Sequence, residues 1–505
     1  MRIGMAHAIS VVGVQGHPVR IEAALLSGLP AFSIVGLPDA AVSESRERLR
    51  AAFVAAGITF PQVRVTVNLS PADTPKSGTG FDLGIAAAIL GAMAGSGPDP
   101  SPTFVGELGL DGSVRKVRGI LPAALAAERV GAEVLVVPWG CASEAHLAGV
   151  RAQEVWHLTQ VAATFGIACA PTPAAPASEE ERREKPTQSG DLADIRGQDE
   201  ARWALEVAAA GGHHLLMTGS QGIGKSLLAG SMPGILPPLS VEEAVEVASI
   251  ASAAGEFDGA LDRVPPFACP HHTASSVSLI GGGSIPRPGA VSRAHRGVLF
   301  MDELPEFQRA VLQALRQPME SGVVEIHRAR SHVIFPARFQ LVGAANPCRC
   351  GRFFDGVGAC TCAVRERREY YRRIGGPLLD RFDISIVLTR PSRAELARKD
   401  AGEASAAVAQ RVAEARQRAH KRLEATPWSR NSQVTGAWLR RQTMMPLSVE
   451  KRLDRVIANG DLSLRAVDKI MRVAWTLADL AGRDSPAAED FHQAFVLRER
   501  NGHHG

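Results

Sequence analysis

No stretch limits what this chain can become as tightly as Leu215–Ser226, LLMTGSQGIGKS. It reads as a short apolar strand, a glycine-rich turn (Gly219, Ser220, Gln221, Gly222, Ile223, Gly224) and a helix start through Leu227, Leu228 and Ala229. Gly219, Gly224, Lys225 and Ser226 match the spacing G-x-x-x-x-G-K-[ST]. The glycines let successive backbone N–H groups face one phosphate chain, and the helix N-terminus adds partial positive charge. Lys225 is then placed for the β- and γ-phosphates and the Ser226 hydroxyl for Mg²⁺. A chance glycine-rich turn is the alternative; the flanking strand and helix argue against it. The expected ligand is a nucleoside triphosphate.

At 505 residues the chain suggests two to four domains. Hydrophobic residues make up 45% but aromatic ones only 5%, so cores of Ala, Val, Leu and Ile are expected, in α/β and helical domains. A net charge of +4 permits nucleic-acid binding without requiring it. The sequence holds no apolar run of membrane-spanning length, and His7 and Gly13 interrupt the apolar N-terminus, which makes a poor signal peptide. Four of the seven cysteines crowd between Cys348 and Cys362, unlike a secreted disulfide framework. A cytoplasmic protein without a membrane partner is expected.

Over residues 1–170, β-like runs (Ala31–Val35, Val63–Asn68, Glu133–Pro138) alternate with Ala-rich amphipathic stretches (Val42–Ala56, Leu83–Met93, Leu121–Val130). Pro71–Leu90 and Gly106–Ala127 resemble the proteolytic domain of Lon-type proteases. Such enzymes pair a serine with a lysine that takes its proton. Gly80 and Ala124 stand where those groups belong, and Lys76 and Ser77 lie in the turn before the expected helix. An inactive Lon-like α+β domain serving assembly or partner binding is the expectation. Residues 171–190, PTPAAPASEEERREKPTQSG, read as a solvated linker.

A second catalytic element is GVLFMDELPEF, Gly297–Phe307. Its buried-type strand ends in a carboxylate pair: Asp302 to hold Mg²⁺ through water, Glu303 to polarise the attacking water. Seventy-seven residues separate Lys225 from Asp302, more than a minimal helix and strand require. Arg338–Gly351 reads as another apolar strand ending at Asn346, suited to orient water between Glu303 and the γ-phosphate; a strand-capping asparagine is the alternative. Arg381, in LLDRFD, is suited to reach across a subunit boundary as an arginine finger. An intrachain pair with Asp380 or Asp383 is the alternative.

These residues, with PHHTASSVSLIGGGSIPRPGAVSRAHRG, NPCRCG, GPLLDRFD and LSLRAVDKI, resemble the magnesium-chelatase-like AAA+ ATPases of the YifB/ComM family over nearly the whole chain. The chain departs from the family pattern at Ala268-Cys269, where an arginine is usual, and at Val467, where an aromatic is usual. The resemblance implies an AAA+ α/β core with a parallel sheet over 191–390 and a helical C-terminal lid domain over 391–505. It implies ATP and Mg²⁺ as cofactors, a homo-oligomer, in this family a hexamer, and DNA as partner. Arg465 is similar to a second sensor carried by the lid, and Ile195–Gly197 would lie near the adenine. Ala268–Arg293 would correspond to an insert near the ring pore. Within it His271 and His272 are adjacent, which argues against a shared metal, because neighbours in an extended chain point opposite ways. A structural turn or polar contacts at a subunit boundary remain.

Gly322–Gln340 reads as a hairpin with Arg328, Arg330 and His332 at its tip, candidates for DNA contact independent of base sequence; a solvated tip is the alternative. Cys348, Cys350, Cys360 and Cys362, as C-x-C-x₉-C-x-C, are candidate ligands for a structural Zn²⁺, with free thiols and redox chemistry as alternatives. The leading function is a ring-forming ATPase that translocates on DNA and promotes branch migration or remodels recombination intermediates. A chelatase-type chaperone acting on a protein partner is the alternative. The missing serine and lysine disfavour an ATP-dependent protease.

Overall fold

The computed structural model describes residues 1–36, 39–71, 76, 78–95, 102–177, 190–283, 286–328, 331–356, 358–392, 395, 402–459 and 462–499. Most of the linker segment and Ser77 fall outside them.

The N-terminal part is built on a seven-stranded sheet. Its spatial order is Ala31–Val35, Arg64–Ser70, Gln15–Leu26, Arg2–Val12, Thr103–Phe104, Val134–Pro138, Arg151–Val155. The two longest strands, Arg2–Val12 and Gln15–Leu26, form an antiparallel hairpin in register from Arg2↔Leu25 to Val12↔Gln15. Helices Ala40–Ala55, Asp82–Ala94 and Ile120–Arg129 occupy the three stretches expected to be amphipathic. The middle one is not amphipathic: every residue from Asp82 to Ala92 is buried. Gly4 shows why the fit is so close. A Cβ there would lie 2.2 Å from the Ala88 carbonyl, so only glycine lets strand and helix backbones approach. Ala124 is fully buried in an apolar cluster with Ile120 and Leu135.

The second sheet has five strands in the order Phe267–Ala268, Val298–Met301, Gln340–Ala345, Leu215–Gly219, Ile384–Leu388, and every pairing is parallel. As in other parallel sheets, both faces are covered. Leu215 and Met217 point into a core with the helices Asp199–Gly211, Lys225–Ile235 and Ser405–Leu423, while Leu216 points into the opposite core with Leu299, Phe335 and Phe382. The C-terminal helices share the first core: Val408, Ile470, Trp475 and Phe495 belong to the same buried cluster as the strand Leu215–Gly219. Among the described residues, no helix is long and apolar enough to cross a membrane.

A buried polar network ties these parts together at the start of the strands. Asp383 accepts from the His214 backbone N–H at 3.1 Å and faces Lys469 Nζ at 3.5 Å and His213 Nδ1 at 3.7 Å. Lys469, on the helix Leu464–Leu480, also donates to the Asp380 and Phe382 carbonyls at 2.5 and 3.0 Å. Burial draws the Lys469 amine down to about 8 against the pull of Asp383. Asp383 is held well below the usual carboxylate range: burial opposes its charge, but Lys469 and the histidines outweigh it. Burial likewise lowers His214 to about 4, and its Nδ1 accepts the Leu341 N–H at 2.9 Å, which needs an unprotonated nitrogen.

Among the described residues the N-terminal part meets the helix Val241–Ala254 and the cluster beneath the strands Val323–Arg328 and Ser331–Pro336. Ser252, on the helix Val241–Ala254, donates to Glu144 at 2.5 Å and accepts from Leu121 N–H at 3.2 Å. Val12 and Val14, at the turn of the N-terminal hairpin, pack against the cluster that contains Val324, Val333 and Phe335.

Candidate nucleotide-binding site

In a parallel sheet all strands end at one edge, and ligands are received outside those ends. Gly219, the Asp302-Glu303 pair and Asn346 each end or follow directly on a strand of the five-stranded sheet. The register Leu216↔Gly343 and Met301↔Gly343 lines the three up. Three segments distant in sequence therefore meet at one edge because their strands run the same way.

The turn Ser220–Gly224 is shaped for an anion. Gly222 and Gly224 take φ of 75° and 99°, the left-handed region where a side chain is strained. A Cβ built on either meets nothing within 4 Å, so the backbone faces open space. Ser220 Oγ is buried with no hydrogen-bond partner among the described residues. Lys225 opens the following helix, and its ammonium donates to the Gly219 and Ser220 carbonyls at 2.7 and 2.9 Å and to Asn346 Oδ1 at 3.0 Å. Burial lowers the Lys225 pKa; Asp302 and Glu303 partly offset this. Ser226 Oγ donates to Asp302 Oδ2 at 2.7 Å, which places two hard oxygen donors side by side as Mg²⁺ requires. Gln221 and Leu227 are exposed on the outer side of the loop, and Ile223 packs its side chain against the core. The residues fit a nucleoside triphosphate with Mg²⁺. The Ile195–Gly197 segment sits beside the end of the neighbouring strand: Gln198 donates to the Thr389 carbonyl at 2.7 Å, and a Cβ on Gly197 would meet Pro391.

Glu303 has a partner that the sequence did not disclose. Its Oε2 lies 3.0 Å from His272 Nδ1. The histidine pair therefore makes an intrachain contact at the carboxylates.

Arg381 and Arg465 lie elsewhere. They line one cavity of about 340 Å³ together with Arg316, Lys469 and Arg472. Arg381 pairs with Glu320, not with Asp380 or Asp383 as the intrachain alternative had it. Its pKa is lowered, first by burial and then by the like charges of Arg465 and Arg316. Arg381 precedes the strand Ile384–Leu388, whose far end, Leu388, is paired with Gly219. The strand's length, on the order of 15 Å, separates this arginine cluster from the phosphate loop.

The four cysteines converge. Cys348 Sγ lies 3.3 Å from Cys350 Sγ and 3.7 Å from Cys360 Sγ, with 3.6 Å between Cys350 and Cys360. Cys362 completes a group whose sulfurs all lie within 4.8 Å of one another. The thiol loop touches the phosphate loop, since a Cβ on Gly351 would sit 3.6 Å from Gln221 Cβ. Arg390 anchors it through Asp355 at 3.0 Å.

The hairpin expected from Gly322 onward is formed by Val323–Arg328 and Ser331–Pro336, paired from Val323↔Pro336 to Arg328↔Ser331. His332 is stacked on His327 with 4.3 Å between ring centres, and both face Glu325 at 3.5 and 3.4 Å. An acid thus sits among the basic groups, a neighbour that a scan for arginines passes over. Arg330 lies outside the described residues.

Comparison with known proteins identifies the family. Residues 191–396 match the family described as magnesium chelatase, subunit ChlI; residues 21–140 match subunit ChlI of Mg-chelatase; residues 402–498 match its C-terminal region. An uncharacterized protein of Mycobacterium tuberculosis is 43% identical over 99% of both chains. The protein YifB of Salmonella typhimurium is 37% identical over 99% of this chain and 97% of its own. Competence protein ComM of Haemophilus influenzae is 39% identical over 95% of this chain and 94% of its own.

Replacing Lys225 by Ala removes the charge-assisted contact to phosphate, so affinity for a fluorescent ATP analogue should fall by at least about tenfold. Equilibrium titration of the folded variant, with its melting temperature as control, checks this; undiminished affinity would refute the site.

Proposed function

The chain belongs to the magnesium-chelatase-like YifB/ComM family, and from that premise we propose that it is an ATP-hydrolysing AAA+ ring motor acting on DNA in the cytoplasm. The observation that carries the reading is the separation of charges across the five-stranded sheet. Lys225, Ser226, Asp302 and Glu303 gather at one edge, and Arg381 with Arg465 at the other. An arginine on the wrong edge of its own sheet serves a triphosphate only in a neighbouring copy. Head-to-tail repetition of that contact closes a ring, and we take the family's hexamer as its size. Arg465, which shares the Arg381 cavity, acts with it on the same neighbour.

In the mechanism the bound Mg²⁺ neutralises phosphate charge when present. Ser226 and Asp302 would hold it, and Lys225 would exchange its two loop carbonyls for phosphate oxygens. Asn346 keeps the ammonium aimed into the loop and orients the water that Glu303 polarises. The incoming guanidinium of Arg381 stabilises charge on the transferring phosphoryl group, a contribution available only when subunits are docked.

The hairpin ending at Arg328 and Ser331 is the element assigned to DNA. Six copies around a channel would grip the phosphate backbone without reading bases, and the work done on the strand would be translocation leading to branch migration, as in recombination during natural transformation. Changing Arg328 and Arg330 together to Ala should abolish stimulation of ATP hydrolysis by single-stranded DNA. The log–log salt slope of binding should also fall by about 0.7 for each phosphate that is no longer neutralised. Hydrolysis indifferent to DNA in the unaltered protein would instead favour remodelling of a protein partner.

The thiol loop fits a structural Zn²⁺. Four Zn–S bonds of about 2.3 Å in tetrahedral array place sulfurs about 3.8 Å apart, close to the observed spacings. A metal there would brace Asn346 and Gln221 and perform no chemistry. Purified protein should contain about one zinc per chain, and Cys348→Ser should lose it and melt at lower temperature. Unchanged metal content and melting would leave the cysteines as free thiols.

A further inference from the structure

The hairpin of Val323–Arg328 and Ser331–Pro336 has two unlike faces, because side chains alternate along each strand. Val324, Val333 and Phe335 are buried on one face. The turn of the N-terminal hairpin holds the strand Ser331–Pro336 in place: a Cβ on Gly13 would lie 2.9 Å from the Ile334 carbonyl. The opposite face is exposed and carries Glu325, His327 and His332. Register decides how these three meet. His327 and His332 are direct cross-strand neighbours, and Glu325, two residues before His327, lies diagonal to His332 on the same face. Both imidazoles turn Nε2 towards one carboxylate oxygen, Glu325 Oε2, at 3.4 Å from His327 and 3.5 Å from His332. The two rings are within 6° of parallel. One ligand atom from each residue lies within 4.8 Å of the other two.

We propose that Glu325, His327 and His332 form a site for a divalent cation of the zinc class, separate from the thiol loop. The distances decide between this and a plain ion pair. A charge-assisted hydrogen bond is about 2.7–2.9 Å long, and both contacts exceed that. Metal–nitrogen bonds of about 2.0–2.1 Å and a metal–oxygen bond of about 2.0–2.2 Å in tetrahedral array set donors about 3.4 Å apart, which is the spacing between each histidine and Glu325. Two imidazoles and one carboxylate are donors that Zn²⁺ takes where it keeps a fourth position open. Mg²⁺ prefers oxygen donors and retains most of its water. With only three protein ligands on an exposed face, the ion exchanges with solvent, so chelator treatment empties this site before the thiol loop. When bound, it cancels the charge of Glu325 on a hairpin whose tip bears Arg328 and Arg330 in sequence. That consequence for DNA, unlike the site itself, rests on the proposed role of the hairpin.

The test is calorimetric titration of the full chain with Zn²⁺, after chelator treatment and removal of the chelator, in the unaltered protein, His327→Ala, His332→Ala and Glu325→Gln. All four retain the cysteines, so the difference between them reports the hairpin alone, and melting temperatures confirm that the exposed substitutions leave the fold intact. Losing a residue that merely orients a metal ligand costs about 10–100-fold in affinity, so each histidine variant should lose one Zn²⁺ per chain or bind it at least about tenfold more weakly. A matching excess of Mg²⁺ should not compete. Zn²⁺ uptake that is the same in the unaltered protein and both histidine variants, or that Mg²⁺ displaces, overturns the site. Zn²⁺ should also tighten binding of a fluorescent single-stranded oligonucleotide by the unaltered chain and not by His327→Ala. Uptake lost in the histidine variants together with DNA affinity indifferent to Zn²⁺ upholds the metal site and overturns the role of the hairpin in DNA binding.

Discussion

The direction in which five strands run decides most of what this molecule can do. Because all are parallel, the phosphate loop, the carboxylate pair and Asn346 emerge together at one edge. For the same reason Arg381 and Arg465 are gathered at the opposite edge, beside the start of Ile384–Leu388. Slipping the strand Leu215–Gly219 by one residue would exchange Leu215, Leu216 and Met217 between the two cores. The proposed sharing of a nucleotide between copies is thus a consequence of sheet polarity.

The cavity that gathers Arg316, Arg381, Arg465 and Arg472 is also lined by Asp380 and Asp468, so the guanidiniums share it with two carboxylates. Among the described residues only Glu320 pairs with Arg381, while Lys469, nearby, is spent on Asp383 and two carbonyls. Asp383 in turn links the first residues of two core strands to the helix Leu464–Leu480. Breaking such a buried pair from one side costs about 3–5 kcal/mol, because the remaining charge is left without compensation. The network therefore fixes the arginine segment relative to the sheet, and the C-terminal helices share the sheet's core.

How much of this the sequence disclosed depended on how local the signal was. The strand, glycine turn and helix over Leu215–Ile235, the strand that leads into Asp302-Glu303 and the paired strands Val323–Arg328 and Ser331–Pro336 are written in consecutive residues, and each element lies where its spacing indicated. Asp82–Ala94 was misjudged because alanine and glycine make a helix that packs closely on every side, leaving little polar face to read. The long strands Arg2–Val12 and Gln15–Leu26 escaped notice, since their burial alternates irregularly along the hairpin. His272 beside Glu303, Glu320 beside Arg381 and Glu325 between two histidines depend on strand register or on packing between remote segments. No motif in a single stretch encodes such pairs. The convergence of four cysteines falls between these cases: the spacing named the residues, and the fold supplied the distances.

The central claim, that each nucleotide is cleaved between copies, is tested most directly by mixing two inactive proteins. One carries Arg381→Ala and retains its loop and carboxylates; the other carries Glu303→Gln and retains the arginine. In randomly mixed rings about a quarter of interfaces would join an intact pocket to an intact guanidinium, so turnover should return to about that fraction of the unaltered rate. A mixture as inactive as either protein alone, with mixed rings demonstrated, would contradict the account.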